Sequence, residues 1–297
     1  MAAKANPKVY FQSGLQLRAD PQRHFLEPFI RSGAIGPWVM VRSQWHKKQS
    51  WWQNSPNADR VKEINWRLDK ATSPGLVAEM GVHQIDSAGW FLSAQPTSVT
   101  GFGSIRRWDD GRTVPDTVQA IFEYPGGIQL TYDCTLANSY ETEYEMFYGS
   151  DAAVMLRGNK AWLFKEVDSP LLGWEVYARK DRFGEETGIA LVANATKIAA
   201  QGDNPIEDAP FTNTPVFYAL ENFLANASSI GGAVEDFTAA FDPKDVGALK
   251  THLAGVRMQS YAGFMEGYVA TVIALKANEA IMKGEKIAIK KEWLTLA

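Results

Sequence analysis

The chain has 297 residues, 45% of them hydrophobic, with 30 basic against 34 acidic side chains and a formal net charge of −4. At roughly 100–200 residues per domain, that length makes one large or two ordinary domains with a real core. The charge balance leaves no basic excess for nucleic acid. The most apolar stretch, Tyr268 to Leu275, falls far short of the roughly 18 residues of a membrane span, and the single cysteine, Cys134, excludes an intramolecular disulfide framework and a multi-cysteine zinc site.

The opening, Met1 to Pro7, carries no apolar signal core, so the expectation is a cytoplasmic protein. Val9-Tyr10-Phe11 reads as a strand-like run. A helix is predicted from Pro21 to Arg31, with Asp20 as N-cap, Pro21 at the first helical position and Gly33 as stop. Val39-Met40-Val41 begins a strand. From Trp45 to Trp66 the chain is polar yet holds Trp45, Trp51, Trp52 and Trp66, which reads as a binding loop. The clearest helix spans about Gly75 to Leu92, with Pro74 at its mouth.

From Ser98 to Phe164 the pattern turns to period two. Strands are predicted at Ser98–Arg107, Thr117–Tyr124, Gly127–Thr135, Thr142–Tyr148, Ala152–Leu156 and Ala161–Phe164, with tight turns that enforce antiparallel pairing. Helices return at about Pro215–Ser228 and Ser260–Met282. Massed strands flanked by helices define an α+β fold, an open, mostly antiparallel sheet covered on one face by helices.

No Gly-x-Gly-x-x-Gly opens a helix after a strand; Gly101-Phe102-Gly103 sits inside a strand and leads nowhere helical. The informative constellation is Glu79 to Trp90. Glu79 and His83 lie four apart on one predicted helix, with Asp86 three further. A carboxylate one turn from an imidazole can hold one ring nitrogen and leave the other as a proton acceptor. The plain alternative is a histidine satisfied within a packing surface. No second histidine stands at helical spacing from it, so no metal site is expected.

Several runs occur here in a characteristic order: Gly14-Leu15-Gln16-Leu17-Arg18, Ile30 to Gly36, Asn65-Trp66-Arg67, Leu76 to His83, and His83-Gln84-Ile85-Asp86 with Trp90-Phe91-Leu92. Together they resemble the glucose–fructose oxidoreductase/inositol dehydrogenase (Gfo/Idh/MocA) family. The resemblance implies a dihydrodipicolinate-reductase-like C-terminal domain over 21–297, preceded by a remnant, 1–20, of a dinucleotide-binding Rossmann domain. Ala2 to Asn6 would be the tail of that domain's last helix and Lys8 to Gln12 its last strand.

It further implies an NAD(P)-dependent oxidoreductase acting on a sugar, polyol or glycoside. His83 would accept the proton of the substrate hydroxyl, and Glu79 would stand where the family usually has an aspartate. Gln16 and Arg18 are expected on the NAD or NADP side, and Trp66, Arg67 and Asp86 on the substrate side. Trp45, Trp51 and Trp52 are a possible sugar-stacking wall, and Tyr140, Glu143 and Tyr144 a weaker one. A homo-oligomer formed through the sheet and a partner surface around Val9 to Phe11 are also expected. Alternatives are a carbohydrate-binding or oligomerisation module without catalysis, and an NAD-dependent relative that cleaves glycosides. By itself the chain is expected to be inactive.

Overall fold

A computed structural model describes residues 6–192 and 211–296. The expected helix tail at Ala2 to Asn6 therefore lies, Asn6 apart, outside the described residues. Helix α1, Pro21–Phe29, starts as predicted: the Asp20 carboxylate accepts from the Gln22 N–H at 3.0 Å, and Pro21 supplies the first helical φ. It then widens into a π turn at Ile30–Ala34, which carries the chain to Gly33 and not only to Arg31. Strand β1, Trp38–His46, follows. The tryptophan-rich loop contains one short helix, α2, Ala58–Ile64.

The long helix expected from Gly75 forms in two pieces, a π turn at Val77–Gly81 and helix α3, Val82–Leu92. The predicted meander is present as β2 (Ser98–Ser104), β3 (Thr117–Glu123), β4 (Gln129–Thr135), β5 (Glu143–Gly149), β6 (Ala152–Arg157) and β7 (Lys160–Lys165). Three strands escaped the sequence reading, β8 (Lys180–Phe183), β9 (Glu186–Ala190) and the two-residue β10 (Ile287–Ala288). Helix α4, Pro215–Ala240, runs well past Ser228 because Gly231-Gly232 does not stop it. Helix α5, Val246–Ala254, was not expected, and α6 spans Phe264–Lys283.

Among the described residues, ten strands form one sheet in the order β10-β2-β3-β4-β1-β5-β6-β7-β9-β8. Every pairing is antiparallel except β1 with β4, where Val41 stands opposite Leu130. Hairpin logic pairs neighbours in sequence and so cannot foresee that the early β1 inserts between β4 and β5. One sheet face holds Val41, Phe122, Leu130, Tyr132, Phe147 and Val154. It is covered by Ile85, Ala88 and Phe91 of α3 and by Ile273, Ala277 and Ile281 of α6, and all of these are buried.

The described residues fall into two compact units. One holds those up to His24 together with Asn213–Tyr268; the other holds those from Phe25 to Thr212 and from Val269 onward. The sequence places a boundary after residue 20. By compactness the opening residues instead join α4, which packs on a short turn at Gln16–Ala19. Within that unit Val9-Tyr10-Phe11 forms no strand, a correction to the expectation. Its unit offers no strand to pair with among the described residues. Tyr10 is anchored by its ring, 5.6 Å from Phe223 and 5.4 Å from Tyr261, and its hydroxyl accepts from buried Asn226 at 3.0 Å. No described helix is long and apolar enough to cross a membrane.

Candidate active site

Local packing explains why the chain breaks α-helical register just before His83. Gly75 has φ +81°, and a Cβ there would lie 2.0 Å from Asn278 Oδ1, so glycine is required twice over. Its carbonyl accepts from Ala78 and Glu79 at 3.1 and 3.0 Å, which opens the helical turn that widens at Val77–Gly81. At the other end of the turn, a Cβ on Gly81 would stand 2.9 Å from Cε1 and Cζ of the fully buried Tyr132 ring. Such π turns recur at functional sites because they re-aim side chains within a helix. Here the turn carries Glu79 and feeds directly into His83.

The Glu79 carboxylate meets Arg67, with Oε2 3.1 Å from Nε; the Glu79 side chain is 13% exposed and the Arg67 side chain 52%. Burial pushes the Glu79 carboxyl above its ordinary value, and the Arg67 charge opposes that rise. Arg67 lies over two indoles, 5.3 Å from the Trp66 ring centre and 5.8 Å from that of Trp51. Trp51, Trp66, Arg67 and Glu79 thus converge one helical turn before His83. His83 keeps partial exposure while its Nδ1 is buried, so what the ring offers to solvent is not Nδ1.

Two residues assigned no role from the sequence hold this cluster. Asn65, buried, accepts from the Gln53 N–H at 2.8 Å and donates to the carbonyls of Gln53 and Val61, both at 2.8 Å. It thereby ties the Trp51-Trp52 segment to the Trp66-Arg67 turn. Arg112, its side chain 1% exposed, donates Nε and Nη2 to Asp110 at 2.7 and 2.6 Å and Nη2 to the Ser50 carbonyl. That contact fixes the residue before Trp51, which has φ +65°, a costly conformation for a bulky side chain. Asn65 was visible within Asn65-Trp66-Arg67. Arg112, in a turn of charged residues, gave no signal.

The remaining expected residues fall elsewhere. Asp86 is 8% exposed and close enough to buried Tyr124 for its charge to help burial raise that hydroxyl. Trp45 packs partly buried against the core, and Trp52 turns its N–H to Asn54 Oδ1 at 2.9 Å. Tyr140 is exposed in the β4–β5 turn, Glu143 opens β5, and Tyr144 alternates onto the sheet face away from Tyr132. His46 Nε2 meets Asp133 Oδ2 at 2.5 Å and Nδ1 meets the Tyr140 carbonyl at 3.2 Å, so both ring nitrogens are engaged. Gln16 and Arg18, partly exposed, belong to the other unit's turn at Gln16–Ala19.

No group of three or more His, Cys, Asp or Glu side chains among the described residues could hold a metal. Gly101 sits in β2, where a Cβ would meet the Gln119 carbonyl at 2.6 Å and Ile281 at 2.8 Å; its smallness serves packing and not a phosphate. No described strand runs through a glycine-rich turn into a helix, so these residues do not fit the pyrophosphate of a dinucleotide.

Residues 26–163 match the model of the GFO/IDH/MocA C-terminal domain, which bears out the resemblance read from the sequence. Among curated proteins the chain is 21% identical over 140 residues to trans-1,2-dihydrobenzene-1,2-diol dehydrogenase of Oryctolagus cuniculus, and 23% over 139 residues to that of Bos taurus. Each match covers 46% of this chain but only 38% and 37% of those relatives. Among solved structures, levoglucosan dehydrogenase in complex with NADH superposes with a TM-score of 0.62 at 15% identity, over 97% of this chain and 68% of that one. A super-repressor mutant of Gal80p from Saccharomyces cerevisiae superposes with the same TM-score at 12% identity, over 100% and 68%. At such identities these structures establish the fold alone.

Proposed function

We propose that this chain supplies the substrate side of an NAD(P)-dependent oxidoreductase acting on a sugar, polyol or glycoside, with His83 as proton acceptor. The observation that carries the reading is the convergence of Trp51, Trp66, Arg67 and Glu79 one turn before a partly exposed imidazole. Aromatic faces and a donor-rich guanidinium suit a polyhydroxylated ring. The names of the matched dehydrogenases, and the NADH in one of them, agree with the assignment.

An NAD(P) nicotinamide supplies hydride acceptance in such a reaction. The chain's own step is removal of the hydroxyl proton by the His83 ring, a role imidazoles commonly fill. Arg67 and Trp66 would orient the ring, and Gln16 and Arg18 would touch the nicotinamide side. Asp86, buried behind the helix, would act through its neighbours. A homo-oligomer through the sheet is part of the reading. It draws support from exposed Phe102, opposite Gln119, and exposed Ile121, opposite Thr100, on the face away from the helices.

Sugar oxidation by the complete reading frame, followed by the absorbance of reduced nicotinamide, tests the proposal. His83→Gln should abolish turnover while leaving sugar binding intact, and retained turnover would defeat the role of His83. A binding module without catalysis is the second reading, since Trp51, Trp66 and Arg67 would hold a sugar whether or not His83 takes a proton. Sugar binding by the complete reading frame without any nucleotide reduction would select it.

A further inference from the structure

An arginine in a ligand cleft ordinarily advertises an anionic substrate, because its fork matches a carboxylate. Arg67 is different in three respects. Its Nε is committed to Glu79 at 3.1 Å, so the pair carries no net charge. Its Nη1 and Nη2 groups make no hydrogen bond among the described residues, and with the side chain 52% exposed their four N–H donors remain available to a ligand. Two indoles, Trp51 and Trp66, lie beside the guanidinium, their ring centres 5.8 and 5.3 Å from its carbon. The result is a set of donors without a surplus positive charge.

We propose that Glu79 acts as a charge guard on Arg67, so that this fork reads the oxygens of an uncharged polyhydroxylated ring and turns away sugar acids. Glu79 is then a specificity-determining residue as well as a neighbour of His83. A neutral ring offers oxygen acceptors to all four N–H groups at no electrostatic cost. A carboxylate would gain the Arg67 charge but face the Glu79 carboxylate, which is only 13% exposed and poorly screened. The inference rests on the sugar-binding reading above and adds the charge class of the ligand.

The test is equilibrium binding to the full chain, read by quenching of intrinsic tryptophan fluorescence, with D-glucose and D-glucuronate as probes that differ at one carbon. The wild-type chain should bind glucose more tightly than glucuronate. Glu79→Gln, which keeps the shape and removes the charge, should improve glucuronate relative to glucose by about tenfold, the effect of one well-placed charge. Arg67→Ala should weaken both, and the Glu79→Gln change made on top of it should no longer shift their ratio.

A wild-type preference for glucuronate, or a ratio unmoved by Glu79→Gln in a variant with native circular dichroism, overturns the charge guard while leaving the sugar site standing. Failure of the wild-type chain to bind either sugar overturns the sugar reading itself, and the guard with it.

Discussion

Replacing Asp116 with asparagine should cost this protein more than any substitution in the site itself. Asp116 is fully buried, and its carboxylate accepts from the N–H groups of Arg106, Arg107 and Trp108 at 2.9, 2.9 and 3.0 Å and from the Thr117 hydroxyl at 3.1 Å. Burial alone would raise its pKa, but these four donors outweigh burial and hold it below the usual carboxylate range. Hydrogen bonds to a charged group contribute about 1.5–3 kcal/mol each, and they do not add fully within one network. Asparagine keeps one acceptor oxygen and turns an NH2 group toward at least one N–H. A loss of about 3–4 kcal/mol follows, well above the typical ~1 kcal/mol of a point substitution.

The measurement is urea unfolding, with the midpoint compared at constant slope. Because the folded pKa is lowered, the contribution of Asp116 is complete above the unfolded value of about 3.9 and disappears as the pH falls through the folded value. The gap between wild type and Asp116→Asn should therefore be full at neutral pH and close in acid. A deficit below ~1 kcal/mol at neutral pH, or one that persists unchanged in strong acid, refutes the account.

Three further substitutions probe how the site is held. Asn65→Ala removes both main-chain bonds to Gln53 and should cost about 2–3 kcal/mol, with amide exchange at Gln53 and cleavage of the tryptophan loop by proteases both accelerated. Gly81→Ala drives a methyl against the immobile Tyr132 ring and should cost about 1–3 kcal/mol by thermal unfolding, overriding the roughly 1 kcal/mol that alanine gains in a helix. Arg112→Met leaves the Asp110 carboxylate and the Ser50 carbonyl without their fork. It should cost about 2–4 kcal/mol in urea and alter the tryptophan fluorescence, since Trp51 follows Ser50 directly.

Sheet and covering helices were legible because period-two runs, tight turns and a 3.6-residue apolar stripe are local signals. The six strands from Ser98 to Phe164 stand within a few residues of their expected limits. What escaped was non-local or too short. β10 is two residues paired with β2, and β8 and β9 carry little apolar patterning. The insertion of β1 beside β4 is a parallel pairing between segments some ninety residues apart, which no turn signal can announce. Val9 to Phe11 misled for the opposite reason: β-branched and aromatic residues favour strands wherever a partner exists, and in its unit the described partners are helices.

The site divides along the same line. That Glu79 stands one turn before His83 follows from four residues of separation. That the Glu79 carboxylate answers to Arg67 depends on a different element, a turn after α2 that the Asn65–Gln53 bridge helps to hold. An aspartate at position 79 would be shorter by one methylene and would lengthen the contact to Arg67 Nε unless the half-exposed arginine moved to follow it. The glutamate that departs from the family pattern is the residue type that spans this gap. Glu79→Asp therefore probes the length of the side chain. With the ion pair lengthened, the glucuronate-to-glucose binding ratio should rise toward that of Glu79→Gln. If the ratio stays at the wild-type value, the extra methylene has no part in the pairing and the departure from aspartate needs another cause.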